Sequence, residues 1–263
     1  MQSRLVVRAT ALALAVAAAG VLARGDARAA AGSRSPRLSA LPAVMLWAWH
    51  RPEDLRGLDP HRAGVAFLAA TWTLETDGPQ VERRRHPLLV DESTPLLAVV
   101  RIESPVLPPP SYDPAQIRGM AQSLAELVTQ SSAAGLQIDF DAKESEHGFY
   151  RALLTETRAA LGDRALSMTA LVSWCLGDEP LLRAPVDEVV PMLFQLGVPN
   201  AAHLKERGAA GDLRSRACFD AAGVSLAEPT PGIARGRRLY IFNSKGWTPE
   251  SAKRALAEVP QWR

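Results

Sequence analysis

Sequence patterns that mark several common enzyme chemistries are missing from this chain of 263 residues. No serine lies in a Gly-x-Ser-x-Gly elbow, which excludes the usual nucleophile turn of α/β-hydrolases. No phosphate-binding loop and no dinucleotide-binding fingerprint occurs, so nucleotide-dependent chemistry has no support. The five histidines show no metal-ligand spacing with cysteines or acids. We therefore predict neither a cofactor nor a metal site.

Clustered positive charge is also scarce. The two short basic clusters, residues 83–85 and 235–238, are too small for a nucleic-acid footprint and are interpreted as solvated loops. Hydrophobic residues make up 47% of the chain and charged residues 22%, close to the average of soluble globular proteins, which argues against a disordered chain. We predict a packed domain with no nucleic-acid partner.

The first 29 residues are predicted to form a secretory signal peptide rather than part of the fold. Met1–Arg8 carries two arginines and no acid, residues 9–23 are uncharged and nearly all apolar, and residues 27–29 fit a small-x-small cleavage site. The apolar run is short for a membrane span, which favours a signal peptide. The alternative is an uncleaved membrane anchor. Removing this leader, with its four arginines and one aspartate, changes the formal net charge from +2 to −1. We predict an exported protein, periplasmic or secreted, with no stable membrane span after cleavage.

The rest of the chain is predicted to form one barrel domain, residues 43–263, after a polar linker at residues 30–42. Eight short apolar runs, each bounded by glycine, proline or charge, are typical of buried parallel strands. Helical segments lie between most of them, which favours a single (β/α)8 TIM-type barrel with some shortened crossover helices. An open, doubly wound sheet is the alternative. The predicted strands are residues 43–49, 65–74, 96–103, 136–141, 166–174, 188–196, 223–227 and 238–243.

Three helices have recognisable starts. Residues 113–116, Asp-Pro-Ala-Gln, predict an N-cap, an N1 proline and a capping-box partner. Apolar residues follow at helical spacing, which predicts a stripe that packs on the barrel. Ser145 is expected to cap a second helix, and residues 248–249, Thr-Pro, to open a third.

The C-terminal ends of the predicted strands carry tryptophans and carboxylates, and barrel active sites lie at this face. Flat aromatic rings can cover the apolar faces of a sugar, while carboxyl and amide groups bind its hydroxyls and supply acid–base chemistry. We therefore predict a carbohydrate-binding cleft here; the alternative for any one residue is a structural role. The predicted substrate-binding residues are Trp47, Trp49, His50, Trp72, Arg101, Gln137, Lys143, Trp174, Phe194, Gln195, Asn243 and Trp247.

The segment 135–145 carries the clearest signal. Strand alternation puts its apolar residues toward the helices, and Gln137, Asp139 and Asp141 toward the barrel interior. Two inward acids are costly unless they are paired or hydrogen-bonded, so either a site or an ion pair must offset that cost. Asp141 is the leading catalytic carboxylate and Asp139 would hold or tune it. The candidates for the partner acid are Glu228, Glu103 and Glu144.

The same segment resembles the fourth strand of chitinase-type glycoside hydrolase barrels, whose motif is Asp-x-x-Asp-x-Asp-x-Glu. Asp139 and Asp141 match the last two aspartates, whereas Lys143 stands where that family has its glutamic acid. Residues 192–194 resemble the family's Met-x-Tyr on the sixth strand, and Trp247 its tryptophan after the eighth. The resemblance implies a glycosidase-type barrel in which the family's proton donor has no counterpart at position 143.

A closer resemblance covers nearly the whole chain after the leader. It implies an exported protein with a glycosidase-type barrel, and it implies no particular reaction. The segments that resemble the exported bacterial family known as domain of unknown function 3142 are residues 47–55, 137–142 with Ser145 and 149–150, 170–175, 186–194 and 223–229.

Two further pairs of residues are placed by the predicted strands. Cys175 ends the fifth predicted strand and Cys218 precedes the seventh, at opposite faces of the barrel, so we expect no disulfide between them. Residues 187–188, Asp-Glu, open the sixth strand at the face that stabilises barrels, where they would pair with Arg183 or Lys205.

Two functions compete. The first is a carbohydrate-active enzyme that acts by carboxylate acid–base catalysis. The second is a non-catalytic glycan- or protein-binding barrel of the cell envelope, which Lys143 at the family's acid position favours. An inert structural domain fits less well, because inward acids and strand-end tryptophans have no packing rationale. Two exposed carboxyls facing each other across a cleft would favour the enzyme, and aspartates locked to Lys143 and Arg101 would favour the binder.

Overall fold

Eight parallel strands form a barrel in the computed structural model, which describes residues 35–105, 109–177, 179–196, 213–229 and 232–262, with the backbone alone for residues 233, 261 and 262. The compact unit Arg34–Arg263 contains this barrel, and the predicted leader lies outside the described residues. The strands are β1 (Val44–Ala48), β2 (Glu53–Asp54), β3 (Gly64–Glu75), β4 (Gly78–Arg83), β5 (Leu88–Leu89), β6 (Leu96–Glu103), β7 (Gly135–Phe140), β8 (Ala165–Leu171), β9 (Glu188–Met192), β10 (Ala221–Ser225) and β11 (Arg238–Phe242).

The barrel closes because β1 pairs in parallel with both β3 and β11. The order around it is β1, β3, β6, β7, β8, β9, β10 and β11, and these strands correspond to the eight predicted ones. The predicted (β/α)8 barrel is confirmed, and closure excludes the open doubly wound sheet. The second half of β3 pairs with antiparallel β4 in a hairpin, while β2 and β5 form a separate two-stranded sheet.

The helices are α1 (Pro114–Gln130), α2 (His147–Leu161), α3 (Val172–Gly177) and α4 (Pro249–Trp262), and none in the described ranges is long and apolar enough to cross a membrane. The capping box of α1 is confirmed. The Asp113 carboxylate accepts the backbone N–H groups of Ala115 and Gln116 at 2.7 and 2.9 Å, and the Gln116 side chain accepts the N–H of Asp113. Ser145, in contrast, lies within a short 3-10 turn, and α2 begins after Glu146 with no side-chain cap.

Apolar residues form two layers, one on each side of the barrel wall. The outer layer lies between strands and helices and includes Leu136, Ile138 and Phe140, as strand alternation predicts. The inner layer includes Met45 and Tyr240, together with Leu38 and Leu41 from the segment that precedes β1. Burial of this segment against the interior ties it to the barrel.

A buried ion pair holds the end of the barrel where the strands begin. The Arg238 guanidinium donates from Nε to the Glu188 carboxylate at 2.9 Å, and the Tyr240 hydroxyl donates to the same carboxylate at 2.6 Å. The guanidinium also donates to the carbonyl oxygens of residues 38, 41 and 42. It thus fastens the N-terminal segment across the interior at the end opposite the predicted cleft.

Asp187 also lies at the N-terminal end of the barrel strands. Its carboxylate pairs with Arg158 at 2.6 Å and with Arg37 at 3.3 Å, and accepts the backbone N–H of Leu166 at 2.9 Å. The structural interpretation of residues 187–188 therefore fits, and their partners include Arg37, Arg158 and Arg238. Lys205, one predicted partner, lies outside the described residues.

The prediction that Cys175 and Cys218 stay apart was wrong, because they form a disulfide with a Cα–Cα distance of 6.0 Å. The fifth predicted strand ends three residues early, at Leu171, so Cys175 lies on α3 and not on a strand. The backbone N–H groups of Arg214 and Ser215 donate to the Cys175 carbonyl at 2.9 and 3.3 Å. This contact brings the segment before β10 alongside α3, and both cysteines lie in the outer apolar layer.

Candidate functional site

A cleft of about 380 Å³ lies at the C-terminal ends of the barrel strands, the face that the sequence predicts. Residues from β1, β6, β7, β8, β9 and β11, or from just past their ends, line it. The predicted site residues that line the cleft are Trp47, Trp49, Arg101, Asp139, Asp141, Phe194 and Gln195. Sequence reasoning did not predict as site residues Thr169, Leu171, Val172, Ser173, Met192, Leu196 and Phe242, although the inward alternation of β8 could have indicated Thr169 and Leu171.

Four aromatic rings form the apolar side of the cleft. Phe194 stacks on Phe242 with centroids 5.8 Å apart, and Trp49 meets Phe242 edge-on at 6.3 Å. Trp47 meets Phe194 at 6.2 Å and lies deeper, at 4% exposure. Gly223 on β10 makes room for it, because a Cβ there would lie 2.7 Å from the Trp47 ring. The wall is a surface of the kind that packs against the apolar face of a sugar ring.

The floor beneath this wall is a buried polar chain. The Trp47 indole N–H donates to the Gln137 side-chain oxygen at 2.7 Å, and the Gln137 amide donates to the Ser167 hydroxyl at 3.0 Å. Gln137 is fully buried, so it supports Trp47 from below and does not line the cleft itself. Such a satisfied network fixes the orientation of the ring.

Asp139 is held by two hydrogen bonds. Arg101 donates from Nη1 to one carboxylate oxygen at 2.9 Å, and the Thr169 hydroxyl donates to the other at 2.7 Å. Arg101 also donates from Nε to Glu103 at 2.9 Å. Burial alone would lower the pKa of Arg101, but the attraction of Asp139 and Glu103 outweighs it and holds that pKa above its ordinary value. The Asp139 carboxylate is therefore held in one orientation by a hydrogen bond to each of its oxygens.

Asp141 follows β7 directly and lies exposed at the mouth of the cleft. No hydrogen-bonding or ion-pair partner of its carboxylate occurs in the described part of the chain. Surrounding protein displaces enough water to raise the pKa of Asp141, and the negative charge of Asp139 raises it further, while Arg101 opposes both. Asp141 thus has an available carboxylate whose protonated form is favoured relative to a free aspartic acid.

Three predicted tryptophans lie outside the cleft. Trp72 is 2% exposed and packs in the outer layer, where it lines a groove beside α1. Trp174 lies on α3 in the same layer, with its ring against His147. Trp247 is buried and its indole N–H donates to the Trp47 carbonyl at 2.7 Å, so it supports β1. These rings have packing roles in the structure.

The remaining predicted residues lie at the rim or beyond it. Glu228 is exposed, and its carboxylate accepts the backbone N–H of Gln195 at 3.0 Å. Glu144 is exposed in the turn before α2, and Glu103 pairs with Arg101. Asn243 bridges its own turn by bonding the Gly246 carbonyl at 2.6 Å and the Lys245 N–H at 3.0 Å. His50 is exposed outside the cleft, and partial burial together with Arg101 and Arg84 lowers the pKa of its imidazole.

Lys143 does not enter the cleft. Its ammonium donates to the Ser104 carbonyl at 3.1 Å, and the strand alternation that faces inward ends with Asp141.

No family model matches the sequence, and no curated protein matches it either. EndoBT-3987 of Bacteroides thetaiotamicron, solved with its Man9GlcNAc2Asn substrate, is similar over 85% of this chain at 10% identity and a TM-score of 0.44. This chain covers 64% of that protein in the substrate complex and 58% in the complex with the Man5GlcNAc product, which is less than two thirds of its length. A GH18 chitinase from Pseudoalteromonas aurantia matches 81% of this chain and 99% of its own at 11% identity and a TM-score of 0.44. An endo-beta-N-acetylglucosaminidase from Cordyceps militaris matches 76% of this chain and 81% of its own at 12% identity and a TM-score of 0.38.

Proposed function

We propose that this protein is a glycan-acting hydrolase in which Asp141 is the catalytic acid–base residue. One observation carries the proposal: the Asp141 carboxylate, which has no hydrogen-bond or ion-pair partner among the residues that the structure describes, lies in a cleft walled by aromatic rings, at the end of the barrel where active sites are found. The rings would cover the faces of sugar residues, and Asp141 would donate a proton to the leaving glycosidic oxygen.

The two aspartates would have different tasks. Because the pKa of Asp141 is raised, the protonated form needed for a general acid is more populated than in a free aspartic acid. Asp139, held by Arg101 and Thr169, would keep that pKa raised without sharing in the proton transfer. Among the described cleft-lining residues no second carboxylate is free, so attack would come from water or from a group of the substrate, as in substrate-assisted glycosidases.

A non-catalytic glycan-binding barrel is the second candidate. The pairing of Asp139 with Arg101 supports it, because it leaves a single available carboxylate among the cleft residues that the structure describes. Asp141 is not locked to Lys143, which supports the enzyme. The two observations point in opposite directions, and turnover decides between them.

We also propose that the chain is exported after removal of residues 1–29, that residues 43–263 form its barrel domain, and that it belongs to the exported family of unknown function that its segments resemble. The disulfide supports export, because such bonds persist in oxidising compartments. Fractionation of the producing cells should recover the processed chain outside the cytoplasm. Recovery of the unprocessed chain in the cytoplasm would contradict export.

The decisive experiment compares three forms of the full chain: wild type, Asp141→Asn and the matched control Glu144→Gln. Each is incubated with oligosaccharides of chitin, mannan, β-glucan and peptidoglycan type, with thermal shift as the measure of binding and mass spectrometry as the measure of cleavage. We expect wild type and Glu144→Gln to bind and cleave alike. Asp141→Asn should bind but cleave about 10²–10⁴-fold more slowly, the usual contribution of a general acid.

Each alternative has a distinct result. Cleavage by Asp141→Asn at the wild-type rate would remove Asp141 as the acid. Binding by all three proteins with no cleavage by any would establish the glycan-binding barrel. A panel with neither binding nor cleavage would contradict a glycan ligand of these types.

A further inference from the structure

We propose that Arg84 is a positioning residue for the cleft, because it fixes the loop that carries Trp49 into the aromatic wall. The consequence for ligand binding rests on the proposed function, whereas the positioning itself can be measured without a ligand. Arg84 lies just past β4, and its side chain is only 9% exposed. Its neighbours in the basic cluster, Arg83 and Arg85, are exposed.

The guanidinium of Arg84 binds the loop after β1 at several points. It donates to the carbonyl oxygen of Trp49, from Nη2 to the Arg51 carbonyl at 2.6 Å and from Nη2 to the Glu53 carboxylate at 3.1 Å. From Nε it donates to the His86 carbonyl at 2.9 Å. A planar group with five N–H donors can serve these acceptors together, which a lysine ammonium on a flexible stem cannot do.

Both Arg84 and the Glu53 carboxylate that it binds are held in place by further hydrogen bonds. The backbone N–H of Arg84 donates to the Ala69 carbonyl of β3 at 2.9 Å, so the guanidinium projects from the barrel wall. Glu53 is buried, and the backbone amides of Trp49 and Trp247 also donate to its carboxylate. The exit loops of β1 and β11 therefore meet at Glu53, and Arg84 joins them to the β3–β4 hairpin.

Gly246 shows how closely these loops pack. Its φ is +78°, and a Cβ there would lie 3.3 Å from the Arg51 side chain and 3.7 Å from the Glu53 carboxylate. On the other side of the same loop, Trp49 lines the cleft and meets Phe242 edge-on. A shift of the Trp49 backbone would therefore displace a ring of the cleft wall.

The basic cluster 83–85 was predicted to be a solvated loop, but Arg83 ends strand β4 and the side chain of Arg84 is mostly buried. Arg83 makes a surface hydrogen bond to Gln130 at 3.0 Å, and Arg85 pairs with Glu82 at 3.4 Å with both side chains largely exposed. Arg84 alone of the three turns inward. The chain thus provides a control residue of the same type at the adjacent position.

The first test follows Trp49 by fluorine NMR in the full chain labelled with 5-fluorotryptophan. Loss of one resonance in Trp49→Phe assigns the Trp49 signal. We expect Arg84→Ala to shift or broaden that signal and to leave the signals of Trp72 and Trp174 in place, while Arg83→Ala leaves all of them unchanged. An unchanged Trp49 signal in folded Arg84→Ala would overturn the proposal; if that variant does not fold, Arg84→Lys, which keeps the charge but loses the fork, is measured instead.

The second test is a double-mutant cycle on binding of the chitin, mannan, β-glucan and peptidoglycan oligosaccharides. If Arg84 acts through Trp49, Arg84→Ala should weaken binding about tenfold in the wild-type background and scarcely at all in the Trp49→Ala background. Independent, multiplying losses would overturn the proposal. Absence of binding by wild type would contradict the proposed function while the NMR result still decides whether Arg84 positions Trp49.

Discussion

At the scale of single residues, the partners of a carboxylate decide what it can do. Asp139 and Asp141 are two positions apart and face the same side of β7 and its exit, yet one is 4% exposed and bound on both oxygens while the other is open to the cleft. The difference arises because β7 ends at Phe140, so Asp139 lies within the barrel wall and Asp141 just past its edge. Burial is the main cause of the raised pKa of Asp141, and the negative charge of Asp139 raises it further.

Glu53 gives a residue-scale prediction about pH. Burial raises the pKa of Glu53 to about 7 from an ordinary 4.5, although Arg84 opposes the shift. Between these two pKa values the folded state keeps a proton on Glu53 that the unfolded state releases. The contribution of Glu53 to the free energy of unfolding is therefore complete below pH 4.5 and is lost as the pH rises to about 7. Glu53→Gln, which cannot ionise, should flatten the dependence of the free energy of unfolding on pH by an amount on the order of 3 kcal/mol across this window.

The measurement is urea unfolding of wild type, Glu53→Gln and the exposed control Glu92→Gln from pH 4 to pH 8, roughly the span of the two pKa values. The control should follow wild type throughout. Equal slopes against pH for wild type and Glu53→Gln would show that Glu53 keeps its ordinary pKa in the fold.

At the scale of elements, a bulge in β3 explains why Trp72 misses the cleft. Ala66 belongs to the inner layer, and uninterrupted alternation would put Leu68 and Trp72 on the same side. The pairing of β3 with β6 shifts register between Leu68 and Ala70, so one residue is inserted and the alternation reverses. Ala70, Trp72 and Leu74 then face the outer layer. The groove that Trp72 lines lies beside α1, away from the aromatic wall.

The disulfide gives an element-scale prediction, because it joins α3 to the segment before β10 across 43 residues. Such a bond restricts the unfolded chain, and its loss from a loop of this length typically costs about 2–4 kcal/mol. The double variant Cys175→Ala, Cys218→Ala should unfold at correspondingly lower urea. Wild type unfolded in the presence of a reductant serves as the control and should approach the double variant. Equal midpoints for oxidised wild type and the double variant would contradict a stabilising bond.

At the scale of the whole molecule, the two ends of the barrel have different chemistry. The end where the strands begin is held by Arg238 and Glu188, which fasten residues 38–42 across the interior. The end where the strands finish carries the open cleft and the loop around Trp49 that Arg84 binds. Stability and the candidate site are thus separated along the barrel axis, as is usual for this architecture.

The Arg238 pair gives a prediction at this scale. Arg238→Met removes a counter-charge from the buried Glu188 carboxylate and the donor to the carbonyls of residues 38, 41 and 42, so it should reduce the free energy of unfolding by about 3–5 kcal/mol. Glu188→Gln in the same chain should recover part of that loss, because it removes the buried charge. Urea unfolding measures both, with Arg235→Met, at an exposed turn, as the control. A loss no larger than that of the control would contradict a structural role for the pair.

The sequence by itself determined the barrel and the face that carries the cleft. Short apolar runs bounded by glycine and proline fixed the eight strands, and period-two alternation turned Asp139 and Asp141 inward. The capping box at Asp113 was equally readable, because its hydrogen bonds join residues within one turn. Local geometry and short-range pattern suffice for all of these features.

Only the tertiary structure decided which of the predicted side chains meet. The bulge that turns Trp72 outward, the early end of β8 that carries Trp174 and Cys175 onto α3, and the inward turn of Arg84 each depend on contacts between segments distant along the chain. The alternation of apolar and polar residues does not show where a strand has an inserted residue. Residue type does not show which of three consecutive arginines has carbonyl acceptors nearby. The packed loops around Glu53 present the carbonyl and carboxylate oxygens that Arg84 binds. Buried polar groups of this kind need hydrogen-bond partners, and Arg84 is the arginine within reach.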